Sequence, residues 1–473
     1  MKLSFSSLLL GITLLLGSTQ AEEINKDKIL AETQWKDLKI RKNAPNHLAI
    51  ISQGIYDENV NDVFDSNYYY PASAGEGIDI FIFDFGFNFT KYEFSDRDKR
   101  TIKCEAIITN GVVKESPDEL VCDPLPHFHG TGMAAIAAGR DYGVADKANI
   151  YAFLFTEDDE NFYKSIAAGL KYVRDKLLKP HKAVFSFSFG ELVPDIMVES
   201  GPIKEVQDLI NEISEIGAAF FAAAGNEHHD IYDDENQLRD VPCTLDNVIC
   251  VGGIANMDQD NNTIIVREKN ETLDFSMKAS HYRVAQGEKG SNYGRAVDIY
   301  APYAGEYHGS YELFGTYEYL SALAYQLGMN FENLDVYNDG KSDKCIDAIY
   351  TGTSVSTPIV AGVAATIMSD QPEIEFTSKT MLEYLQKIGI KDAISGIPEG
   401  CPNLFINNGK HSIYSGNSVE EKLGDEVNNK EGEENELKDE VSNNGSEANI
   451  IEDDSNSNAN KKKAKCHLKK KQN

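Results

Sequence analysis

Cysteine, tryptophan and basic residues are all scarce in this sequence. Its 473 residues include seven cysteines and one tryptophan, and 45 Lys and Arg stand against 76 Asp and Glu, a formal charge of −31. So acidic a chain argues against nucleic acid as a partner. No CxxC pair occurs, which disfavours a cysteine metal site. After residue 21, no apolar run approaches the roughly 20 residues of a membrane-spanning helix.

The first 21 residues have the pattern of a secretory signal peptide. Lys2 precedes an apolar stretch at 8–16, and small residues lead to Ala21. We therefore expect a secreted, extracellular protein in which the cysteines form disulfides and one thiol is left over. The sequence alone leaves the connectivity open. Proximity along the chain favours Cys104–Cys122, Cys243–Cys250 and Cys345–Cys401, with Cys466 as the odd cysteine.

The last part of the chain, residues 415–473, has a different composition. Asn, Ser, Glu, Asp and Lys dominate there and aromatic residues are rare, so we predict a disordered tail that is first acidic and then Lys-rich. The lysines at 461–471 could make a weak contact with an anionic surface, or they could be a solvated chain end. Sequons predict glycosylation, and they stand at Asn88, Asn261, Asn270 and Asn444.

The segment at 351–363 delivers a serine onto the first turn of a helix of small residues. It reads Thr-Gly-Thr-Ser-Val-Ser-Thr-Pro-Ile-Val-Ala-Gly-Val. Ser354 is the candidate nucleophile, because a developing oxyanion at a helix N-terminus meets unpartnered N–H groups. Pro358 is expected in the same first turn, where its missing donor costs little. Taken alone, Ser354 could equally be an ordinary helix cap.

Three other side chains complete a candidate catalytic group. Asp84 ends a run of β-branched and aromatic residues that predicts a buried strand, and His129 opens a small-residue helix. Asn226 follows the strand-like segment 218–224 and offers an amide donor. Each residue has an ordinary alternative, since the aspartate could cap a strand, the histidine could begin a helix and the asparagine could form a turn.

Strand-like and helix-like segments alternate along the chain, for example helical 163–177 before strand-like 182–189. This alternation predicts an α/β fold: a mostly parallel central sheet with helices on both faces in one large domain. In such sheets the active site lies beyond the carboxyl ends of the strands. Asp84, Ser188 and Asn226 all stand at predicted strand ends.

The stretches around Asp84, His129, Asn226 and Ser354, in that order, resemble the signature blocks of the subtilisin-like serine peptidases of the secreted fungal, proteinase K type. Further matching blocks lie at 44–52, 142–145, 188–190, 247–253, 291–294 and 301–302. The resemblance divides the chain into a signal peptide at 1–21, a short prefix at 22–43, a peptidase domain at 44–410 and the tail.

The resemblance implies a serine endopeptidase that acts on protein or peptide substrates. Ser354 would be the nucleophile, His129 the base, Asp84 the residue that orients the base, and Asn226 an oxyanion donor. Substrate would lie as an extended strand against the backbone of Ser188, Phe189 and Gly190. Its main specificity side chain would lie between that segment and Ala223, Ala224 and Gly225. No cofactor is required. Structural calcium is common in the family, but its ligands cannot be assigned here, and we predict no metal in the catalytic site.

The loop at 227–239 carries Asp230, Asp233, Asp234 and Glu235 beside the predicted pocket. These acids could favour a basic substrate side chain, or they could be the ordinary surface of an acidic protein. Around 306–344 the chain carries an insertion, which is either a surface excursion or a loop that narrows access to the site. Its acidic stretch at 335–343 fails the EF-hand spacing.

Three residues depart from the family pattern, and none of them removes a chemical role. Phe85 stands where Thr or Ser is usual, Gly132 replaces a second histidine, and Tyr303 takes a glycine position. The prefix is also too short for the folded propeptide of many relatives. Either the protein folds without that propeptide, or a separate chaperone helps, or the sequence is incomplete, or catalysis has been abandoned. The last case defines the alternative function, a catalytically silent protein that binds peptides or a cell-wall surface.

Overall fold

A sheet of ten strands forms the centre of the fold in the computed structural model. The structure describes residues 25–54, 67–122, 129–156, 159–256, 283–286, 290–310 and 345–412. Described residues from Lys26 onward belong to one compact unit. The strands, in chain order, are β1 (Leu38–Arg41), β2 (Tyr68–Pro71), β3 (Asp79–Asp84), β4 (Ile102–Thr109), β5 (Val112–Glu115), β6 (Asn149–Phe155), β7 (Ala183–Phe187), β8 (Glu191–Pro194), β9 (Ala218–Ala223), β10 (Tyr232–Asp233), β11 (Leu238–Val241), β12 (Val248–Ile254), β13 (Ile299–Pro302), β14 (Ala304–Ser310), β15 (Cys345–Thr351), β16 (Ile390–Lys391) and β17 (Leu404–Phe405).

The helices alternate with these strands over much of the chain. They are α1 (Lys26–Thr33), α2 (Asn46–Ala49), α3 (His129–Ala138), α4 (Phe162–Lys176), α5 (Asp195–Val198), α6 (Gly201–Gly217), α7 (Thr353–Asp370) and α8 (Ser378–Ile388), with 3₁₀ turns at Ile50–Ser52 and Tyr92–Phe94. None of the described helices is both long enough and apolar enough to span a bilayer.

The order of the central sheet confirms the predicted α/β fold. It runs β16-β17-β13-β12-β9-β7-β3-β6-β4-β5, and only the pairs at its two edges, β16 with β17 and β5 with β4, are antiparallel. Strands β3 and β9 are buried along their whole length, as parallel strands covered on both faces should be. Their carboxyl ends carry Asp84 and the segment leading to Asn226.

Aromatic side chains fill one side of this sheet beneath α4. Phe83 stacks on Phe153 at 4.6 Å between ring centroids, and Phe185 stacks on Phe220 at 4.3 Å. A methyl group added to Gly169 of α4 would come within 2.4 Å of Phe83 Cε1. The glycine therefore allows the helix to lie directly on the rings.

Helices α3 and α7 are built from small residues and are almost entirely buried. Helix α7 packs against β7, β9, β12 and β13 as well as against α3. A methyl group on Gly362 of α7 would come within 2.8 Å of the carbonyl oxygen of Ala137 in α3. The absence of side-chain bulk thus lets α7, which begins at Thr353, approach α3, which begins at His129.

The described part of the predicted prefix is packed against the rest of the unit. Strand β1 pairs antiparallel with β2, and Ile29, Trp35 and Leu38 are buried. Arg41 donates to the carbonyl of Gly143 at 2.9 Å and forms an ion pair with Asp146. Residues 26–41 therefore contribute a strand, a helix and core side chains to the fold.

Two disulfides confirm the first two predicted pairs, Cys104–Cys122 and Cys243–Cys250. The Cys345 side chain, the whole of Cys466 and the tail from residue 413 lie outside the described part of the structure. The third pairing and the disorder of the tail therefore stay predictions.

Candidate active site

Asp84 and His129 are joined by a short hydrogen bond. The last residue of β3 is Asp84, which is 1% exposed, and the first residue of α3 is His129. Their atoms Oδ1 and Nδ1 lie 2.6 Å apart. Because a carboxylate only accepts hydrogen bonds, Nδ1 is the donor. In the neutral imidazole, this arrangement leaves Nε2 free to accept a proton.

The electrostatics of this pair favour a basic imidazole. Burial opposes the charged form of His129, but the charge of Asp84 and the hydrogen bond to it raise the pKa of His129 above its usual value. The backbone N–H of Phe85 also donates to Asp84 Oδ1. The second oxygen, Oδ2, is buried and has no hydrogen-bond partner among the described residues. Phe85 supplies no side-chain hydroxyl where the family usually has Thr or Ser.

Ser354 and Ser188 make two reciprocal hydrogen bonds. The hydroxyl of Ser354 donates to the carbonyl of Ser188 at 3.1 Å, and the hydroxyl of Ser188 donates to the carbonyl of Ser354 at 2.9 Å. The hydroxyl of Ser354 thus bonds to Ser188 and not to His129 in this structure. Catalytic hydrogen bonds in substrate-free enzymes are often long and tighten only when substrate binds.

The expected position of Pro358 in the first helical turn is wrong. Helix α7 begins at Thr353, so Pro358 is its sixth residue and lies inside the helix. A residue at 358 would normally donate its N–H to the carbonyl of Ser354, four residues earlier. Proline has no N–H, so that carbonyl is free to accept from Ser188.

The side-chain oxygen of Asn226 is held against the turn before Ser354. Asn226 Oδ1 accepts from the backbone N–H of Thr353 at 2.8 Å and lies 3.2 Å from the hydroxyl of Tyr303. These contacts hold the amide group of Asn226, whose nitrogen Nδ2 is its hydrogen-bond donor, against the turn.

Gly352 keeps open the space that faces this amide. Its φ of 139° lies in a region that favours glycine. A methyl group added there would lie 3.4 Å from Asn226 Oδ1, 3.6 Å from Asn226 Nδ2 and 3.7 Å from the backbone nitrogen of Ser354. The amide of Asn226 and the backbone nitrogen of Ser354 therefore border the same small volume, and a side chain at position 352 would enter it.

The two predicted substrate-binding segments lie next to each other. Ser188, Phe189 and Gly190 connect β7 to β8 outside the strands. A methyl group on Gly190 would lie 3.1 Å from the carbonyl oxygen of Val241 and 3.7 Å from that of Ala223. Ala223 and Ala224 are buried, whereas Gly190 is exposed. The ring of Phe189 packs on Phe162, with 5.2 Å between centroids.

The acidic loop beside these segments uses several of its carboxylates internally. Asp234 forms two hydrogen bonds with the guanidinium of Arg295. Asp230 accepts from the backbone N–H of Tyr232, and Asp233 accepts from the backbone and the side chain of Asn236. The ion pair with Arg295 offsets the charge of Asp234, whereas Asp230 and Asp233 accept from neutral groups in these contacts.

The predicted insertion at 306–344 is joined to the rest of the fold through strands β14 and β15, close to the candidate nucleophile Ser354. Strands β14 and β15 pair antiparallel from Ala304↔Thr351 to Ser310↔Cys345, and β15 leads directly into Gly352. Residues 311–344, with the acidic stretch at 335–343, lie outside the described part of the structure.

The described residues say little about the calcium ligands and the glycosylation sites considered above. Where side chains are described, no group of three or more His, Cys, Asp or Glu is placed to hold a metal ion. Asn88 is half-buried and its Oδ1 accepts from the hydroxyl of Thr90, while the other three sequons lie outside the described ranges.

Sequence reasoning missed the contacts of Tyr303 and Thr353 with Asn226. Tyr303 was notable only as a tyrosine at an expected glycine position, and Thr353 only as a member of the turn. That unusual tyrosine was the one available signal, because nothing local shows that its hydroxyl reaches Asn226.

Comparisons with known proteins identify the family of this chain. The model of the subtilase family matches residues 75–424. Among curated proteins, the chain is 24% identical over 393 residues to the subtilisin-like serine protease pepC of Aspergillus niger, covering 81% of this chain and 58% of that protein. It is 26% identical over 399 residues to alkaline protease 2 of Aspergillus fumigatus, covering 82% and 64% respectively. The chain therefore spans less than two thirds of these relatives.

A solved structure shows the same fold. The crystal structure of a cold-adapted subtilisin-like serine proteinase aligns with a TM-score of 0.50 at 19% identity, covering 78% of this chain and 99% of that one. The fold is that of an α/β protein with a mostly parallel central sheet. The chain belongs to the subtilase family.

Proposed function

We propose that this protein is a secreted serine endopeptidase that hydrolyses peptide bonds through Ser354, His129 and Asp84. The observation that carries the proposal is the 2.6 Å hydrogen bond between Asp84 and His129 at the carboxyl edge of the sheet. In the neutral imidazole that bond places the proton on Nδ1 and leaves Nε2 unprotonated, as a general base requires. The similarity to fungal proteins named as serine proteases supports the same chemistry.

The reaction would proceed by acyl transfer. Ser354 Oγ attacks the scissile carbonyl carbon while its proton passes to His129 Nε2, and the negative charge of Asp84 stabilises the imidazolium. The imidazolium then protonates the leaving amine as the C–N bond breaks, and an acyl-enzyme forms. Water, deprotonated by the same nitrogen, hydrolyses the ester and returns the proton to Ser354.

The tetrahedral oxyanion would be bound in the volume in front of Gly352. Asn226 Nδ2 and the N–H of Ser354 border that volume, and both are donors. Donors fixed in advance stabilise developing charge without reorganising during the reaction. The requirement for empty space explains why a residue without a side chain precedes Thr353.

An extended peptide would bind by strand addition along residues 188–190. Its principal side chain would lie between this segment and the neighbouring segment at 223–225. The reciprocal hydrogen bonds of Ser188 with Ser354 connect this edge to the nucleophile. A substrate that occupies the edge is therefore placed beside the reacting hydroxyl.

A second candidate function is a catalytically silent peptide-binding protein. Two observations favour it: the hydroxyl of Ser354 donates to Ser188 instead of His129, and Asp84 Oδ2 has no partner among the described residues. In this case the peptide-binding edge would remain in use while the nucleophile is never activated.

A fluorophosphonate probe distinguishes the two functions. We expect the purified protein to be labelled, and we expect Ser354→Ala to abolish labelling. The matched control is Ser356→Ala, which removes a buried hydroxyl two residues further along α7 that donates to the carbonyl of Pro302. Folded wild-type protein that is never labelled, with its fold checked by circular dichroism, supports the silent alternative.

Secretion would follow removal of residues 1–21. Expression of the full sequence in a secretory host should release protein into the medium with an N-terminus just after Ala21, as read by N-terminal sequencing. Protein retained inside the cell with Met1 intact would contradict this part of the proposal.

A further inference from the structure

Tyr303 is held rigidly between strand β12 and the candidate oxyanion site. It directly follows β13 and is 7% exposed. A methyl group added to Gly253 of β12 would come within 2.2 Å of Tyr303 Cδ2. The ring therefore occupies the space that the missing side chain of Gly253 leaves, and this packing restricts its movement.

Tyr303 contacts both parts of the candidate oxyanion site. Its carbonyl accepts from the backbone N–H of Gly352 at 2.9 Å, and its hydroxyl lies 3.2 Å from Asn226 Oδ1. One contact fixes the turn that precedes Ser354, and the other fixes the amide. A glycine, which the family pattern places here, could make only the backbone contact.

Three donors lie within hydrogen-bond distance of Asn226 Oδ1: the N–H of Thr353 at 2.8 Å, the hydroxyl of Thr353 at 3.1 Å and the hydroxyl of Tyr303 at 3.2 Å. An amide oxygen has two lone pairs. The hydroxyl of Thr353 has a second acceptor, the carbonyl of Gly225 at 3.2 Å, whereas Asn226 Oδ1 is an acceptor within reach of the Tyr303 hydroxyl. With the Thr353 hydroxyl on Gly225, the N–H of Thr353 and the hydroxyl of Tyr303 occupy the two lone pairs and fix the amide beside the volume in front of Gly352.

We propose that Tyr303 is a positioning residue that orients the Asn226 amide as an oxyanion donor. This inference rests on the proposed function of the same site. Burial raises the pKa of Tyr303, and the charge of Glu227 adds to the effect, so the hydroxyl keeps its proton in alkaline solution. The hydrogen bond to Asn226 is therefore present over the whole working range of a serine peptidase.

The first test is Tyr303→Phe, which keeps the ring on Gly253 and removes only the hydroxyl. We expect kcat for a chromogenic peptide to fall about 3- to 10-fold with KM nearly unchanged, the loss typical of one hydrogen bond. The matched control is Tyr300→Phe on β13. Its hydroxyl is also buried but has no partner among the described residues, so kcat should stay at the wild-type value. Equal kcat values for the two variants would overturn the proposal.

A second comparison separates positioning from a general structural role. If Tyr303 acts only through Asn226, then Tyr303→Phe should lower kcat no further in an Asn226→Ala background. The same 3- to 10-fold loss in both backgrounds would show that Tyr303 acts by another route.

A third readout does not depend on turnover. The side-chain amide protons of Asn226, followed by NMR, should exchange with water faster in Tyr303→Phe than in wild type, whereas Tyr300→Phe should leave the rate unchanged. A wild-type protein without turnover or probe labelling would refute the peptidase function, while the exchange rates would still decide the role of Tyr303. Unchanged exchange in Tyr303→Phe would refute the positioning role.

Discussion

Asn226 has two separable roles, because its oxygen and its nitrogen face different partners. Oδ1 accepts from the N–H of Thr353, a residue with no exposed surface, and Nδ2 is the donor that we propose for the oxyanion. Asn226→Ala removes both groups. Loss of the donor should lower kcat about 10²- to 10³-fold, equivalent to about 2.7–4 kcal/mol of transition-state stabilisation. Loss of the acceptor leaves a buried N–H without its partner, which typically costs about 1–3 kcal/mol of folding free energy.

Asn226→Asp separates these effects. The aspartate retains an oxygen for Thr353 but replaces the donor with a second oxygen that repels the oxyanion. We expect it to recover much of the stability lost in Asn226→Ala while its kcat is at least as low. Asn403→Ala is the control for a structural asparagine: Asn403 Nδ2 donates to the carbonyl of Ile394 at 2.8 Å, so stability should fall while kcat is unchanged.

The measurements are steady-state hydrolysis of a chromogenic peptide and urea denaturation of each variant. A fall in kcat smaller than about tenfold in Asn226→Ala, or a loss confined to KM, would refute the assignment of Asn226 as an oxyanion donor. Equal activity of Asn226→Asp and wild type would refute it independently, because a carboxylate cannot donate.

Three further predictions concern the base, the N-terminal segment and specificity. Asp84 raises the pKa of His129 above its usual value, so kcat/KM should fall as the pH drops through that raised pKa and the imidazole becomes charged. Asp84→Asn should lower the pKa of His129, as measured by NMR. An unchanged pKa of His129 in this variant would contradict the pairing. Arg41→Met removes the hydrogen bond to Gly143 and the ion pair with Asp146 and should cost roughly 2 kcal/mol in urea denaturation. Its kcat should stay at the wild-type value, and a stability equal to wild type would show that these two contacts of Arg41 do not stabilise the fold. Because Asp234 is paired with Arg295, cleavage of a peptide library should show no enrichment of Lys or Arg before the cut, and strong enrichment would show that the loop charges reach the substrate.

The sequence predicts the elements of this site better than it predicts the contacts between them. Asp84 and His129 could be placed at a strand end and a helix start because both follow from local patterns. Their meeting at one sheet edge follows from the parallel order of the strands. The partners of Asn226 could not be predicted, because they depend on how the turn before α7 lies against the residue that follows β13.

Two details of α7, the helix that carries Ser354, also could not be predicted from the sequence. The position of Pro358 was wrong by one turn, because Gly352 precedes the helix and α7 already begins at Thr353. The hydroxyl of Ser188 was not expected to bond to the freed carbonyl of Ser354, since the two residues are 166 positions apart. Long-range hydrogen bonds of this kind leave no periodic pattern in a sequence.

The packing of residues 26–41 has a consequence for maturation. A protease that cut between Asn43 and Ala44 would break one peptide bond, but β1 would still pair with β2 and Trp35 would still be buried. The product would be a two-chain protein that separates only under denaturing conditions. An N-terminus at Ala44 in denatured protein would therefore not show that the preceding segment had left the folded enzyme.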